Sequence, residues 1–139
     1  AILTMMEQQK LIAEGAGAVS VAAVLFNKIP VKGKKVVCLV SGGNIDVTIL
    51  NRVITRGLLK AGRSADITIA LTDKPGQLSV VSKIIADLGA NVVAVHHDQA
   101  DLDMDINACY LRLVMETRDH AHVAKIREAL SNAGYTLME

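Results

Sequence analysis

Asp73-Lys74-Pro75-Gly76-Gln77-Leu78 puts a carboxylate, a turn and a helix start within six residues. Pro75 fixes one dihedral and Gly76 relaxes the next, so the chain turns there. Leu78, Val81, Ile85 and Leu88 then recur at helical spacing. The backbone N–H groups of Gly76, Gln77 and Leu78 therefore open a helix, where free donors and the positive end of the dipole receive a carboxylate. Asp73 and, further along, Asn91 can accept from and donate to ammonium and carboxylate groups. The same turn without a ligand is a plain helix cap.

A second candidate is Ser41-Gly42-Gly43-Asn44. The run Val36-Val37-Cys38-Leu39-Val40 before it is apolar throughout, which reads as a strand covered on both faces. A helical pattern follows, with Ile45, Ile49 and Val53 in phase. The Gly-Gly turn thus sits at the carboxyl end of a buried strand, where α/β proteins hold ligands. The bland alternative is a strand-to-helix turn with Asp46 as N-cap. Glu14-Gly15-Ala16-Gly17-Ala18 has two glycines that permit close packing of a helix. It fails as a dinucleotide loop, because no strand precedes it and Ser20 replaces the third glycine.

Other constellations carry less. His96 and His97 are adjacent on a strand pattern and face opposite ways, so they cannot easily grip one ion. His120 and His122 begin what reads as a surface helix. Asp101, Asp103 and Asp105 mimic the start of a calcium loop, but Ile106 replaces its glycine and Arg112 its glutamate. No metal site is expected. Net charge is +1, aromatics are 2% and Trp is absent, so nucleic acid has neither a basic stripe nor a stacking platform. Cys38 and Cys109 lie in strand patterns and read as reduced packing residues of a cytoplasmic protein. The uncharged stretch from Gly15 to Asn27 is too short to span a bilayer.

The elements that must position these groups fall into two halves that join near Ala61-Gly62-Arg63-Ser64-Ala65. Before the join stand helical patterns and one strand, and one strand is not a sheet. Freed of neighbours, it is expected to pair with another chain, join the edge of the second half's sheet or be disordered. The opening Ile2-Leu3-Thr4-Met5-Met6-Glu7 reads as mid-protein helix, so an excised piece of a longer chain is expected. After the join, Ile67, Ile69 and Leu71 alternate with polar or small residues as a half-buried strand. The helix from Leu78 ends at Gly89, 91–97 and 108–116 read as strands, Val123, Ile126, Leu130 and Ala133 mark a helix, and 135–138 a last strand. The order β-α-β-β-α-β predicts an α+β domain with two helices on one face of a four-stranded antiparallel sheet. Val93 and Val95 are expected on its outer face, to be covered by a second copy.

Asp73 to Leu78, followed by Gly89-Ala90-Asn91-Val92, resembles the ACT domain, a regulatory module that binds amino acids in metabolic enzymes. Glu14 to Ala18, Ser41-Gly42-Gly43-Asn44-Ile45-Asp46, Arg56-Gly57-Leu58 and Gly62-Arg63 resemble the end of the catalytic domain of threonine dehydratases, which are threonine/serine ammonia-lyases that use pyridoxal phosphate. The resemblance implies a ferredoxin-like βαββαβ ACT domain over 66–139. It implies an α-β-α remnant of a tryptophan-synthase-β-like catalytic domain over 1–62. It implies that Ser41 faces the cofactor's pyridine nitrogen as a neutral partner, with Gly42 and Glu14 nearby. Asp73, Gly76, Gln77, Leu78 and Asn91 would hold a small amino-acid effector, isoleucine or valine-like, in a site completed by a second ACT domain. Leu71 stands where some members bear a polar contact, which points to an aliphatic effector or none. The family's cofactor-holding lysine and phosphate loop match nothing here. The parent enzyme is thus expected to deaminate L-threonine to 2-oxobutanoate and ammonia, and this chain alone to be inactive and without bound cofactor. A homo-oligomer with no nucleic-acid or membrane partner follows. The alternative is a stand-alone amino-acid-binding or dimerisation module.

Overall fold

The computed structural model describes residues 1–99 and 107–138. Asp101, Asp103 and Asp105 of the calcium-like pattern lie outside the described residues. The chain divides into two compact units, Ala1–Gly57 and Leu58–Glu139. The composition change at Ala61–Ala65 lies a few residues beyond that division.

The second unit has the expected order: β1 (Ser64–Thr72), α4 (Gln77–Asp87), β2 (Asn91–Asp98), β3 (Ala108–Glu116), α5 (His120–Asn132) and β4 (Thr136–Met138). The strands form an antiparallel sheet in the order β2-β3-β1-β4. Alternation decides the faces. Ala65, Ile67 and Ile69 of β1 and Leu111, Leu113 and Met115 of β3 point to one side and pack with Val81 and Ile85 of α4 and Ile126 and Leu130 of α5. Each such buried aliphatic side chain contributes about 1.5–3 kcal/mol. The core therefore holds both helices to one face.

Two expectations need correction here. β2 carries a bulge: Val92 opposes Met115, but Ala94 opposes the next β3 residue, Val114. The extra residue, Val93, shifts the phase of the rest of the strand. Val95 is consequently opposite buried Leu113 on the helix side, not on the outer face. The second correction concerns His122, which is buried at 3% exposure rather than on the surface. It lies four residues before Ile126 and eight before Leu130, on the stripe α5 turns inward. Its Nδ1 accepts from the Arg118 N–H (3.1 Å) and its Nε2 faces the Leu88 carbonyl at 3.0 Å, so Nε2 carries the proton. Asp119 caps the same helix by accepting from the His122 N–H at 2.8 Å.

The first unit holds α1 (Ile2–Gln9), α2 (Val19–Leu25) and the body of α3 (Val47–Lys60). Asp46 caps α3, as in the bland alternative for this turn, accepting from Thr48 N–H (2.8 Å) and Ile49 N–H (3.1 Å). The run 36–40 is not a strand. A strand needs a partner ladder, and the unit offers none. The run is an irregular connection tied to α2, where the Ser20 hydroxyl donates to the Leu39 carbonyl (2.7 Å). Nor is it buried: Val37 is 95% and Leu39 77% exposed. The unit's own core is small, built on Met5, Ala13 and Ala18.

Candidate functional site

The effector candidate forms where β1 ends. Asp73 follows the last β1 residue, and its N–H donates to the Asn107 carbonyl (2.7 Å), which anchors the turn. Gly76 is the N-cap of α4 and brings no side chain to cap it. The Gln77 N–H is partly used by the Lys74 carbonyl at 3.3 Å. Asp73, Gly76, Gln77 and Leu78 line one cleft of about 410 Å³, with Leu71 and Leu111 supplying an aliphatic floor. Such a volume suits a small molecule.

Asn91 is not part of it. It opens β2, opposite Glu116, which in turn stands opposite Ser64 at the start of β1. Asp73 lies beyond the other end of β1, roughly 30 Å away at about 3.3 Å per residue. Asn91 donates instead to the Glu116 carboxylate (3.1 Å). One chain therefore brings four of the five effector residues together and leaves Asn91 at the opposite end of the sheet.

The cleft also contains a residue the sequence did not place there. His97 stands opposite Leu111 because of the β2 bulge, and its Nε2 is 3.7 Å from Asp73 Oδ1. The other Asp73 oxygen, Oδ2, accepts from the Gln99 amide. Behind them lies Cys109, fully buried on β3 opposite Leu71. Burial pushes the Cys109 thiol up, and the Asp73 carboxylate pushes it the same way. Next to the cleft a wider hollow of about 720 Å³ is lined by Thr72, Lys74, Gln77 and Tyr135, and the Tyr135 hydroxyl donates to Gln77 Oε1 (3.0 Å). It adds polar groups of Thr72, Asn107, Tyr135 and Thr136 to the Lys74 that both hollows share but has no carboxylate, whereas the smaller cleft combines carboxylate, imidazole and helix start.

On the open face of the sheet Arg112 grips Asp66, Nε within 3.0 Å of both carboxylate oxygens and Nη2 2.5 Å from Oδ2. The Arg112 hydrogen bonds hold the Asp66 carboxyl below its usual value and outweigh the opposing cost of burial.

In the first unit, Ser41, Gly42 and Glu14 come together. The Glu14 N–H donates to the Gly42 carbonyl (3.2 Å). Gly42 has φ +77°, and a Cβ there would stand 2.5 Å from Glu14 Oε1. The positive φ favours glycine, and a Cβ would push the Glu14 carboxylate aside. Gly17 is pressed so closely on the Ser41 carbonyl that a Cβ would overlap it. The glycines of the two motifs thus exist to seat one motif on the other. As groups, the Ser41 hydroxyl and the Glu14 carboxylate have the chemistry to face the nitrogen edge of a pyridine ring. They supply neither an amine to bond an aldehyde nor amides to cradle a phosphate.

An α+β module with a small-molecule cleft between its first strand and first helix is thereby defined, preceded by a helical unit bearing a Ser-Gly-Gly turn. Over nearly its whole length the chain is a homologue of the L-threonine ammonia-lyases. It is 48% identical to the L-threonine ammonia-lyase of Thermotoga maritima over 135 residues, 97% of this chain and 33% of that protein. It is 37% identical to the L-threonine ammonia-lyase of Geobacter sulfurreducens over 97% of this chain and 34% of that protein. A catabolic L-threonine dehydratase of Staphylococcus aureus is 51% identical over 61 residues, 42% of this chain and 18% of that protein. The chain spans about a third of the length of the first two relatives. No protein-family profile matches it. A crystal structure of a formyltetrahydrofolate deformylase from Pseudomonas putida covers 54% of this chain and 27% of that one with TM-score 0.40 and 14% identity, a likeness too slight to argue from. No helix among the described residues is long and apolar enough to cross a membrane.

Proposed function

We propose that this chain is the regulatory part of a pyridoxal-phosphate threonine/serine dehydratase, joined to the last portion of its catalytic domain. The observation that carries this reading is the 48% identity to a threonine ammonia-lyase sustained across both units. The parent enzyme converts L-threonine to 2-oxobutanoate and ammonia in the cytoplasm. When bound, pyridoxal phosphate supplies an electron sink that acidifies the substrate's Cα–H and lets the β-hydroxyl leave. Ser41 offers its ring nitrogen a neutral hydroxyl, Gly42 lets the turn approach, and Glu14 seats the turn. The lysine and phosphate cradle belong to other residues of the parent, so this chain alone is inactive. Apolar side chains left open in the first unit, Val37, Leu39 and Val47 among them, support a surface shaped for further protein.

The second unit is an ACT domain that receives a small aliphatic amino acid, isoleucine or valine-like. The ligand's carboxylate lies at the α4 N-terminus and its ammonium group at Asp73, with Leu71 and Leu111 against its side chain. Asn91, at the far end of the sheet, serves a ligand only from a second copy, so the site is completed at a homo-oligomer interface. The effector acts by favouring one arrangement of that pair. Calorimetry of the 139-residue chain with a panel of amino acids tests this. Saturable heat with isoleucine or valine, lost in Asp73→Ala, is expected. Equal heats with and without Asp73, or none with any amino acid, would overturn the effector reading.

A further inference from the structure

Three segments distant in sequence bring Asp73, His97 and Cys109 to one point: the turn after β1, the end of β2 and the start of β3. Their ligand atoms all lie within 4.8 Å of one another. We propose that these three side chains form a binding site for a thiophilic divalent cation of the Zn²⁺ class, with its fourth position open to the cleft. The proposal shares Asp73 and the cleft with the amino-acid reading but does not rest on it, because its test uses a cation without any amino acid.

The geometry comes first. Zinc bonds of about 2.0–2.3 Å place tetrahedral ligands roughly 3.3–3.8 Å apart. Asp73 and His97 already stand at 3.7 Å, so closure asks only for side-chain rotation of about 1 Å. The carboxylate is oriented for the task. Its backbone N–H is bound to Asn107, and Oδ2 is engaged by Gln99, which leaves Oδ1 turned toward His97. Outer contacts of this type commonly fix metal ligands. The thiol is equally fixed, because Cys109 is wholly buried in the ladder opposite Leu71. His97 and Cys109 lie on one face as diagonal neighbours, since the β2 bulge sets His97 opposite Leu111.

Chemistry then selects the ion. Sulfur and imidazole beside a single carboxylate favour Zn²⁺, Co²⁺ or Ni²⁺ over Mg²⁺ and Ca²⁺. Burial and a neighbouring carboxylate keep the free thiol protonated, and a dication reverses both effects. On binding, the S–H bond breaks, sulfur keeps the electron pair and bonds the metal, and the proton passes to solvent. No electron is transferred.

The probe is Co²⁺, added without amino acids to the 139-residue chain carrying Cys38→Ser, so that Cys109 is the one thiol. A sulfur-to-cobalt charge-transfer band and strong tetrahedral visible absorption are expected, with about one proton released per Co²⁺. Zn²⁺ should displace the cobalt, and millimolar Mg²⁺ or Ca²⁺ should not. His97→Ala and Asp73→Asn, both at exposed positions that leave the core intact, should each weaken binding at least tenfold. Cys109→Ser should remove the charge-transfer band. Absence of that band, or Co²⁺ affinity unchanged in His97→Ala and Asp73→Asn, would overturn the proposal.

Discussion

Replacing His122 by Phe tests the architecture at its least expected point. The ring is 3% exposed, and its two nitrogens bind the Arg118 N–H and the Leu88 carbonyl. It thereby ties the start of α5 to the end of α4. Phenylalanine keeps the ring's bulk but leaves both backbone groups without a partner, each at about 1–3 kcal/mol. The added apolar surface returns about 1 kcal/mol. The net loss is about 3 kcal/mol, a large share of the ~4–12 kcal/mol expected for some eighty residues. Thermal midpoints of domains this size move roughly 4–8 °C per kcal/mol, so a drop of roughly 12–24 °C follows. Near-ultraviolet circular dichroism reads this unit selectively, since both tyrosines, Tyr110 and Tyr135, lie in it and the chain has no Trp. His120→Ala is the comparator: that side chain is exposed, with one contact to the Lys60 carbonyl at 2.9 Å, and should cost under about 1 kcal/mol. A His122→Phe midpoint equal to that of the unsubstituted chain would refute the reasoning.

Acid should expose the Asp66–Arg112 pair. Asp66 has a lowered folded value, so its contribution is present above the unfolded carboxyl value of about 3.9 and is lost as pH falls through the folded one. Asp66→Asn should therefore flatten the stability-versus-pH curve below about pH 4, and an unaltered acid limb would count against the pair. Gly62→Ala should destabilise the second unit by at least about 1–2 kcal/mol, because φ is +67° and the new Cβ would overlap the backbone of Asp119 and His120. An alanine variant with an unchanged urea midpoint would contradict that packing. Thiol labelling should discriminate the cysteines: half-buried Cys38 reacts in the folded chain, and buried Cys109 with its raised thiol reacts only on unfolding. Equal rates for both would contradict the burial.

Local signals carried most of the second unit. The period-2 run of Ile67, Ile69 and Leu71 and the 3.6-period run of Leu78, Val81 and Ile85 each name their element without outside help. The 36–40 run misled because strands are made by partners, and residues 1–57 contain none. His122 could have been read as buried, since it is in phase with Ile126 and Leu130, but a histidine at a helix start looks like a surface residue. The Asp73–His97–Cys109 cluster was not legible. It depends on the bulge at Val93, which inverts the face of every later β2 residue, and nothing in Val92-Val93-Ala94-Val95 marks the extra residue. Gly17 and Gly42 could be read as close-packing positions, yet only coordinates show that they seat Glu14 and Ser41 on each other.

The decisive measurement is the rate of 2-oxobutanoate formation from L-threonine by the complete gene product that carries these residues, with and without isoleucine or valine. Threonine deamination whose rate responds to the aliphatic amino acid, with the response abolished by Asp73→Ala, is the predicted result. A product that does not deaminate threonine, or one whose response is the same with and without Asp73, would contradict the account.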